Sequence, residues 1–159
     1  MSKHFFYDYK VDLQDQLGKL FRKKLSELDS ERARLAQLDA AQELIVDYFN
    51  GLESSLADII IVSDNKIHLI REGSMIVKFT MFDNFVKFTR FEQAIEVEIG
   101  EYDKTSKIVE ARIIGNIIPG EKKCVVKRIG KVHDGSHFDD KTINFFMNEA
   151  FGSLKELEG

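Results

Sequence analysis

Cysteine, proline and tryptophan are scarce in this chain of 159 residues, which has one cysteine, one proline and no tryptophan. The single cysteine, Cys124, cannot form an intramolecular disulfide or a cysteine-rich zinc site, so nothing in the sequence requires an oxidising compartment. The chain also lacks an apolar run near the roughly 18 residues of a membrane span, and its N-terminus lacks the apolar core of a signal peptide. We therefore expect a cytoplasmic protein with no membrane segment.

Neither sign of charge dominates, because 27 acidic and 23 basic side chains leave a net charge of -4. This balance argues against attraction of the whole chain to nucleic acid or to an anionic membrane, although it leaves room for a local basic patch. Apolar residues make up 43% of the sequence. Length and composition together predict one globular domain that buries its own core.

Helix-forming residues dominate the first part of the chain. Residues 11–50 contain one glycine, Gly18, and no proline, and they are rich in Leu, Ala, Glu, Lys, Arg and Gln. A break at Asp29-Ser30 would give an antiparallel pair of helices, whereas one unbroken helix of about 40 residues would be about 60 Å long and would need a partner chain. Both alternatives end the helix at Asn50-Gly51.

Alternating apolar and polar residues predict strands in the middle of the chain. Residues 56–62 fit either a last helical turn or a buried strand, and their β-branched end favours the strand. Residues 67–69 continue the alternation, and residues 75–100 predict three further antiparallel strands. A turn at Asp83-Asn84 would place Phe79 opposite Phe88, and Arg90 would reach past the end of the sheet to water.

The last part of the chain predicts two more strands and a helix. Pro119-Gly120 has the sequence of a type II turn, which would join a strand at residues 108–118 to one at residues 122–129. This register places Ile114 opposite Val125. Ser136 or Asp139 could then cap a final amphipathic helix that packs on the sheet. Its apolar stripe comprises Ile143, Phe146, Met147, Ala150, Phe151, Leu154 and Leu157.

These elements predict an α+β protein. A helical arm (residues 1–56), as one long helix or a helical pair, precedes an antiparallel meander of six or seven strands and a C-terminal amphipathic helix (together residues 57–159), and the two parts form one compact domain. The order of elements over residues 58–157 resembles the pleckstrin-homology-like architecture, a resemblance that carries no functional residues. A flat two-layer α/β sandwich is the alternative, so closure of the sheet stays open.

Potential metal ligands are concentrated in the loop before the last helix. His133, Asp134, His137 and Asp139 offer imidazole and carboxylate groups that could bind zinc or another divalent ion, which would make this loop the site of a small enzyme or ligand-binding domain. The same residues also fit a polar turn followed by a helix cap. We predict no cofactor, and no catalytic residues can be assigned.

A basic group lies on the last predicted strand and consists of Lys122, Lys123, Lys127 and Arg128. Such a group could bind nucleic acid, but no aromatic residue is interleaved with it. Lysines on an edge strand also discourage association between sheets, and this second interpretation agrees with the acidic net charge.

The helical arm provides the main functional hypothesis. Its leucine-rich stripes could complete the core by packing on the protein's own sheet, or they could bind another protein, most simply a second copy of the chain. Under the second alternative the chain is a non-enzymatic protein–protein interaction module that self-associates. The predicted contact residues are Leu28, Leu35, Leu38, Ile45 and Phe49.

Overall fold

Three consecutive helices open the computed structural model, which describes residues 8–73, 75–128 and 135–152. The first begins after Asp8, whose carboxylate accepts hydrogen bonds from the backbone amides of Lys10 and Val11 and so occupies the unpaired amides of the first turn. The helices are α1 (Tyr9–Leu20), α2 (Arg22–Ser55) and α3 (Ala57–Val62).

The helices are separated by single residues at Phe21 and Leu56. Across Phe21 the backbone ladder continues, because its amide donates to Leu17 and its carbonyl accepts from Leu25, each at 2.9 Å. Of the two predicted alternatives, the break at Asp29-Ser30 does not occur, because α2 runs without interruption from Arg22 to Ser55. An exposed Asp-Ser pair lowers helix propensity by less than the surrounding residues support it.

Two further boundary predictions are also wrong. Gly51 lies inside α2, which continues to Ser55, and residues 57–62 form α3 instead of a strand. The turn that stops α3 lies at Asp64 and Asn65, which both adopt positive φ, at 57° and 65°. The β-branched run before this turn is helical like the residues that precede it, because a short apolar run fits a helix and a strand equally well.

Six antiparallel strands form one sheet in sequence order, which confirms the predicted meander. Among the described residues the first and last strands each have one strand neighbour, so the sheet is open. The strands are β1 (Ile67–Glu72), β2 (Ile76–Met81), β3 (Asn84–Arg90), β4 (Ile95–Tyr102), β5 (Ile108–Ile118) and β6 (Val125–Arg128).

The strand registers test the predicted turns. β3 pairs with β4 so that Val86 lies opposite Ile99. Between β2 and β3 the turn residues are Phe82 and Asp83, with Phe82 at φ 56°, so Phe79 lies opposite Val86 and not opposite Phe88. The shift is two residues, which preserves which side chains face the core.

The connection between β5 and β6 is longer than predicted. Residues 119–124 lie outside the strands, and Ile118, not Ile114, lies opposite Val125. Gly120 does not form a tight turn with β5 and β6 paired directly on either side of it. Its amide and carbonyl are instead hydrogen-bonded to a side chain of α2, described below.

Two helices cover one face of the sheet and enclose the core. Phe49 of α2 lies 5.8 Å from Phe79 and 5.6 Å from Phe88, measured between ring centroids. The last helix, α4 (Asp140–Phe151), reaches the same two strand residues through Phe151 at 5.8 Å and Phe146 at 6.2 Å. The fold around the core is therefore a two-layer α/β sandwich. Of the predicted α4 stripe, Leu154 and Leu157 lie outside the described residues.

Candidate interaction surface on the helical arm

The chain divides into two compact units, Met1–Arg34 and Leu35–Gly159. This division falls inside α2, whereas the sequence-based division placed its boundary at residue 56. We call the described part of the first unit, residues 8–34, the leading segment. It comprises Asp8, α1, Phe21 and the first 13 residues of α2, Arg22 to Arg34.

The leading segment exposes its large apolar side chains. Their exposed fractions range from 38% for Leu13 to 72% for Leu20. Five of the eight recur at intervals of three or four residues, which places them on one side of the helix. These five, Leu13, Leu17, Phe21, Leu25 and Leu28, we call the apolar stripe; the other three are Tyr9, Val11 and Leu20.

The rest of α2 buries its apolar face. Leu38, Ala41, Ile45 and Phe49 are each 5% exposed or less and belong to the core of the second unit. Three of the five predicted contact residues, Leu38, Ile45 and Phe49, thus complete the protein's own fold. Leu35 is half-buried and Leu28 is 39% exposed, so of the predicted set it is Leu28 that presents an open side chain.

Polar side chains fasten this buried part of α2 to the sheet. The Gln37 side-chain amide donates to the carbonyl of Gly120 at 3.0 Å and accepts from its amide at 2.9 Å. Arg90 has a 9% exposed side chain and contacts the Asp39 carboxylate at 3.1 Å and the Gln42 amide oxygen at 2.9 Å. The prediction that Arg90 reaches water is wrong, because α2 supplies acceptors directly above the strand.

Charged residues on the leading segment are arranged in blocks. Arg22, Lys23 and Lys24 form a basic block, and Glu27, Asp29 and Glu31 form an acidic block one helical turn later. All six side chains are exposed. Leu25 and Leu28, the last two residues of the apolar stripe, lie within the stretch that spans these two blocks, with the basic block before them and the acidic block around Leu28.

The predicted metal loop falls partly outside the described residues, which include His137 and Asp139 but not His133 or Asp134. Asp139 caps α4, where its carboxylate accepts from the amide of Thr142 at 3.0 Å. Burial opposes ionisation of this carboxyl, but hydrogen bonds from Thr142 outweigh it and lower the pKa of Asp139. Over residues 8–73, 75–128 and 135–152, no cluster of three or more potential metal ligands occurs.

The four basic residues predicted for nucleic-acid binding have different surroundings. Lys122 and Lys123 are exposed in the connection before β6, and Lys127 is exposed on the strand. Arg128 instead has a 9% exposed side chain, contacts Glu149 of α4 at 3.1 Å and lies 4.2 Å above the Phe145 ring. Its guanidinium group therefore helps to hold α4 on the sheet.

Sequence reasoning missed an aromatic cluster on the sheet face opposite the helices. The ammonium group of Lys78 lies 4.6 Å from the ring centres of both Phe85 and Tyr102. Burial, with a further contribution from Lys87, lowers the pKa of Lys78, and Lys87 is its direct strand partner. The alternation in β3 could have revealed this cluster, because it places Phe85 on the polar face opposite Gly100.

A pocket of about 210 Å³ lies where the ends of β3, β4 and β5 meet α4. Its charged lining combines Arg112 with three carboxylates, and Glu149 among them already pairs with Arg128. The charged side chains that line it are Glu101, Glu110, Arg112 and Glu149. This lining contains no nucleophile, and we assign no reaction to it.

Comparison with known proteins finds no relative of this chain: no family model, no curated protein and no solved structure matches it. Among the described helices, none combines the length and the apolar composition needed to cross a lipid bilayer.

Proposed function

We propose that the chain is a non-enzymatic protein–protein interaction module that self-associates through its leading segment. One observation carries the proposal: the helical arm buries its apolar residues from Leu38 onward, yet leaves the apolar stripe of residues 13–28 exposed. Contiguous exposed apolar side chains on an ordered element are typical of protein-binding sites. A cytoplasmic location is part of the proposal and is supported by the unpaired thiol of Cys124.

Association would stabilise the leading segment in two ways. Covering a leucine side chain contributes roughly 1 to 2 kcal/mol from apolar surface removed from water, and the stripe offers four leucines and Phe21. Helices with no packed face are only marginally stable in water, so a partner would also reinforce the helix itself. Part of this gain offsets the entropy lost when two molecules combine.

Substitution of the stripe tests the proposal. We expect Leu25→Ser/Leu28→Ser to abolish or strongly weaken self-association in sedimentation velocity at concentrations where the unmodified chain is oligomeric. The matched control is Ile59→Ser/Ile61→Ser, which also replaces two exposed apolar residues of a helix, at 50% and 78% exposure, but lies in α3. We expect the control to associate like the unmodified chain.

Urea unfolding accompanies the measurement, because loss of the fold could mimic loss of association. Substitution of exposed side chains should leave the free energy of unfolding of the monomer within about 0.5 kcal/mol of its original value. A monomeric unmodified chain, or equal association of the stripe and control variants, would contradict the proposal.

A further inference from the structure

We propose that two copies of the chain pair with their leading segments antiparallel, with Leu25 of each copy against Leu28 of the other. This inference rests on the proposed function and specifies its partner and geometry. It is carried by the order of charges along the segment, which is a feature independent of the exposed leucines.

The two charged blocks and Arg32 make the leading segment more complementary to itself in the antiparallel direction than in the parallel one. In an antiparallel pair the two residues of the basic block that flank the contact, Arg22 and Lys24, lie beside Asp29 and Glu31 of the second copy's acidic block. In a parallel pair Lys24 would still meet Asp29 of the second copy, but Arg22 and Glu31 would have no opposite charge beside them, and Arg32 would face its own duplicate at the centre of the contact. Opposed like charges weaken association, whereas complementary blocks strengthen and orient it.

The spacing of the stripe fixes the register of the pair. From Phe21 the positions that face a helical partner are spaced by four, three and four residues and reach Leu25, Leu28 and Arg32. Setting Leu25 against Leu28 of the second copy places Phe21 against Arg32 of that copy. On the flanks, Lys24 then lies within one helical turn of Glu31, and Arg22 within one turn of Asp29.

Arg32, which follows the last residue of the apolar stripe by four positions, has a role in this register. Its exposed guanidinium group would cover the 45% exposed Phe21 ring of the second copy, and arginine stacks favourably on aromatic faces. The pair uses this arginine twice, once at each end.

Disulfide trapping tests the orientation. We expect a mixture of the variants Phe21→Cys and Arg32→Cys, oxidised with glutathione disulfide, to form a dimer that joins the two variants. Residues 21 and 32 are adjacent across an antiparallel pair, whereas residue 21 lies about 16 Å along the axis from its own duplicate, beyond the roughly 7 Å that a disulfide spans between Cα atoms. Neither variant alone should cross-link.

The native cysteine provides the background control. Cys124 is 3% exposed, and burial raises the pKa of its thiol to about 11, against a smaller opposite effect of Arg90, so it should not contribute cross-links in the folded chain. Efficient cross-linking of Phe21→Cys with itself would overturn the antiparallel arrangement and leave the proposed function intact. A chain that is monomeric at all concentrations would overturn both.

Exchange of the charged blocks tests the same geometry without cysteines, in case those substitutions weaken the pair. Reversing either block alone, as Arg22→Glu/Lys23→Glu/Lys24→Glu or as Glu27→Lys/Asp29→Lys/Glu31→Lys, should lower the association constant about tenfold at low salt. A chain with both blocks reversed should associate with itself as the unmodified chain does. Mixed pairs between this chain and the unmodified one would overturn the proposal, because an antiparallel arrangement sets their like charges against each other.

Discussion

At the scale of single residues, two glycines of this protein occupy opposite environments. Gly100 on β4 has the Phe85 ring 2.5 Å and the Glu110 carbonyl oxygen 2.6 Å from the place where a β-carbon would stand. Gly51 lies inside α2 with no neighbouring atom within 4 Å of that place. Gly100 therefore allows the aromatic cluster to close over the strand, whereas Gly51 weakens a helix without creating useful space.

We predict stability changes of opposite sign for these two positions. Gly100→Ala should lower the free energy of unfolding by about 2 kcal/mol, because Phe85 and the backbone of β5 must both move. Gly51→Ala should raise it by about 1 kcal/mol, since alanine restricts the unfolded chain and favours the helix. Urea unfolding of the two variants and the unmodified chain measures both changes. A Gly100→Ala variant with an unchanged free energy of unfolding would contradict the close packing on the sheet face opposite the helices.

At the scale of elements, the sequence predicted the ends of helices and strands best where one periodic apolar face packs against one neighbouring layer of the fold. β5 has the predicted bounds, residues 108–118, and the Asp139 cap of α4 was one of two predicted alternatives. The predicted helix end at Asn50-Gly51 failed, because tertiary contacts outweigh a weak local signal there. Asn50 beside Gly51 resembles a helix end, yet its side chain accepts a hydrogen bond from Arg71 while the helix continues.

The N-cap of α4 should make stability depend on pH in the acid range. The pKa of Asp139 is lower in the folded chain than its ordinary value of 3.8, so its stabilisation is complete above that value and is lost as the pH falls through the folded-state pKa. Asp139→Asn keeps a capping oxygen and removes the titration, whereas Asp139→Ala also removes the cap and should cost about 1 kcal/mol at neutral pH.

Urea unfolding from about pH 5 to about pH 3 tests this pH dependence. The difference in unfolding free energy between the unmodified chain and Asp139→Asn should shrink as the pH falls, because the unmodified carboxylate takes up a proton. A difference that stays constant or grows toward acid would show that the Asp139 cap does not titrate as its hydrogen bonds imply.

At the scale of the whole molecule, α2 is one helix with two environments. Up to Arg34 its apolar side chains are exposed, and from Leu38 they are buried against the sheet. Packing onto the protein's own sheet accounts for the second half of the arm, and self-association is proposed for the first. Sequence alone could not show where the exposed leucines of the arm end and the buried ones begin, because leucines that pack in a core and leucines that bind a partner look the same in a sequence.

Hydrogen exchange at two protein concentrations tests this division most directly. Amide exchange of the full chain, followed by mass spectrometry, should slow for residues 22–34 as concentration rises and a second copy covers them. Exchange of residues 38–49, which are already packed in the core, should stay slow and unchanged at both concentrations. Exchange in residues 22–34 that is independent of concentration while the chain oligomerises would contradict the account, because another surface would then hold the copies together.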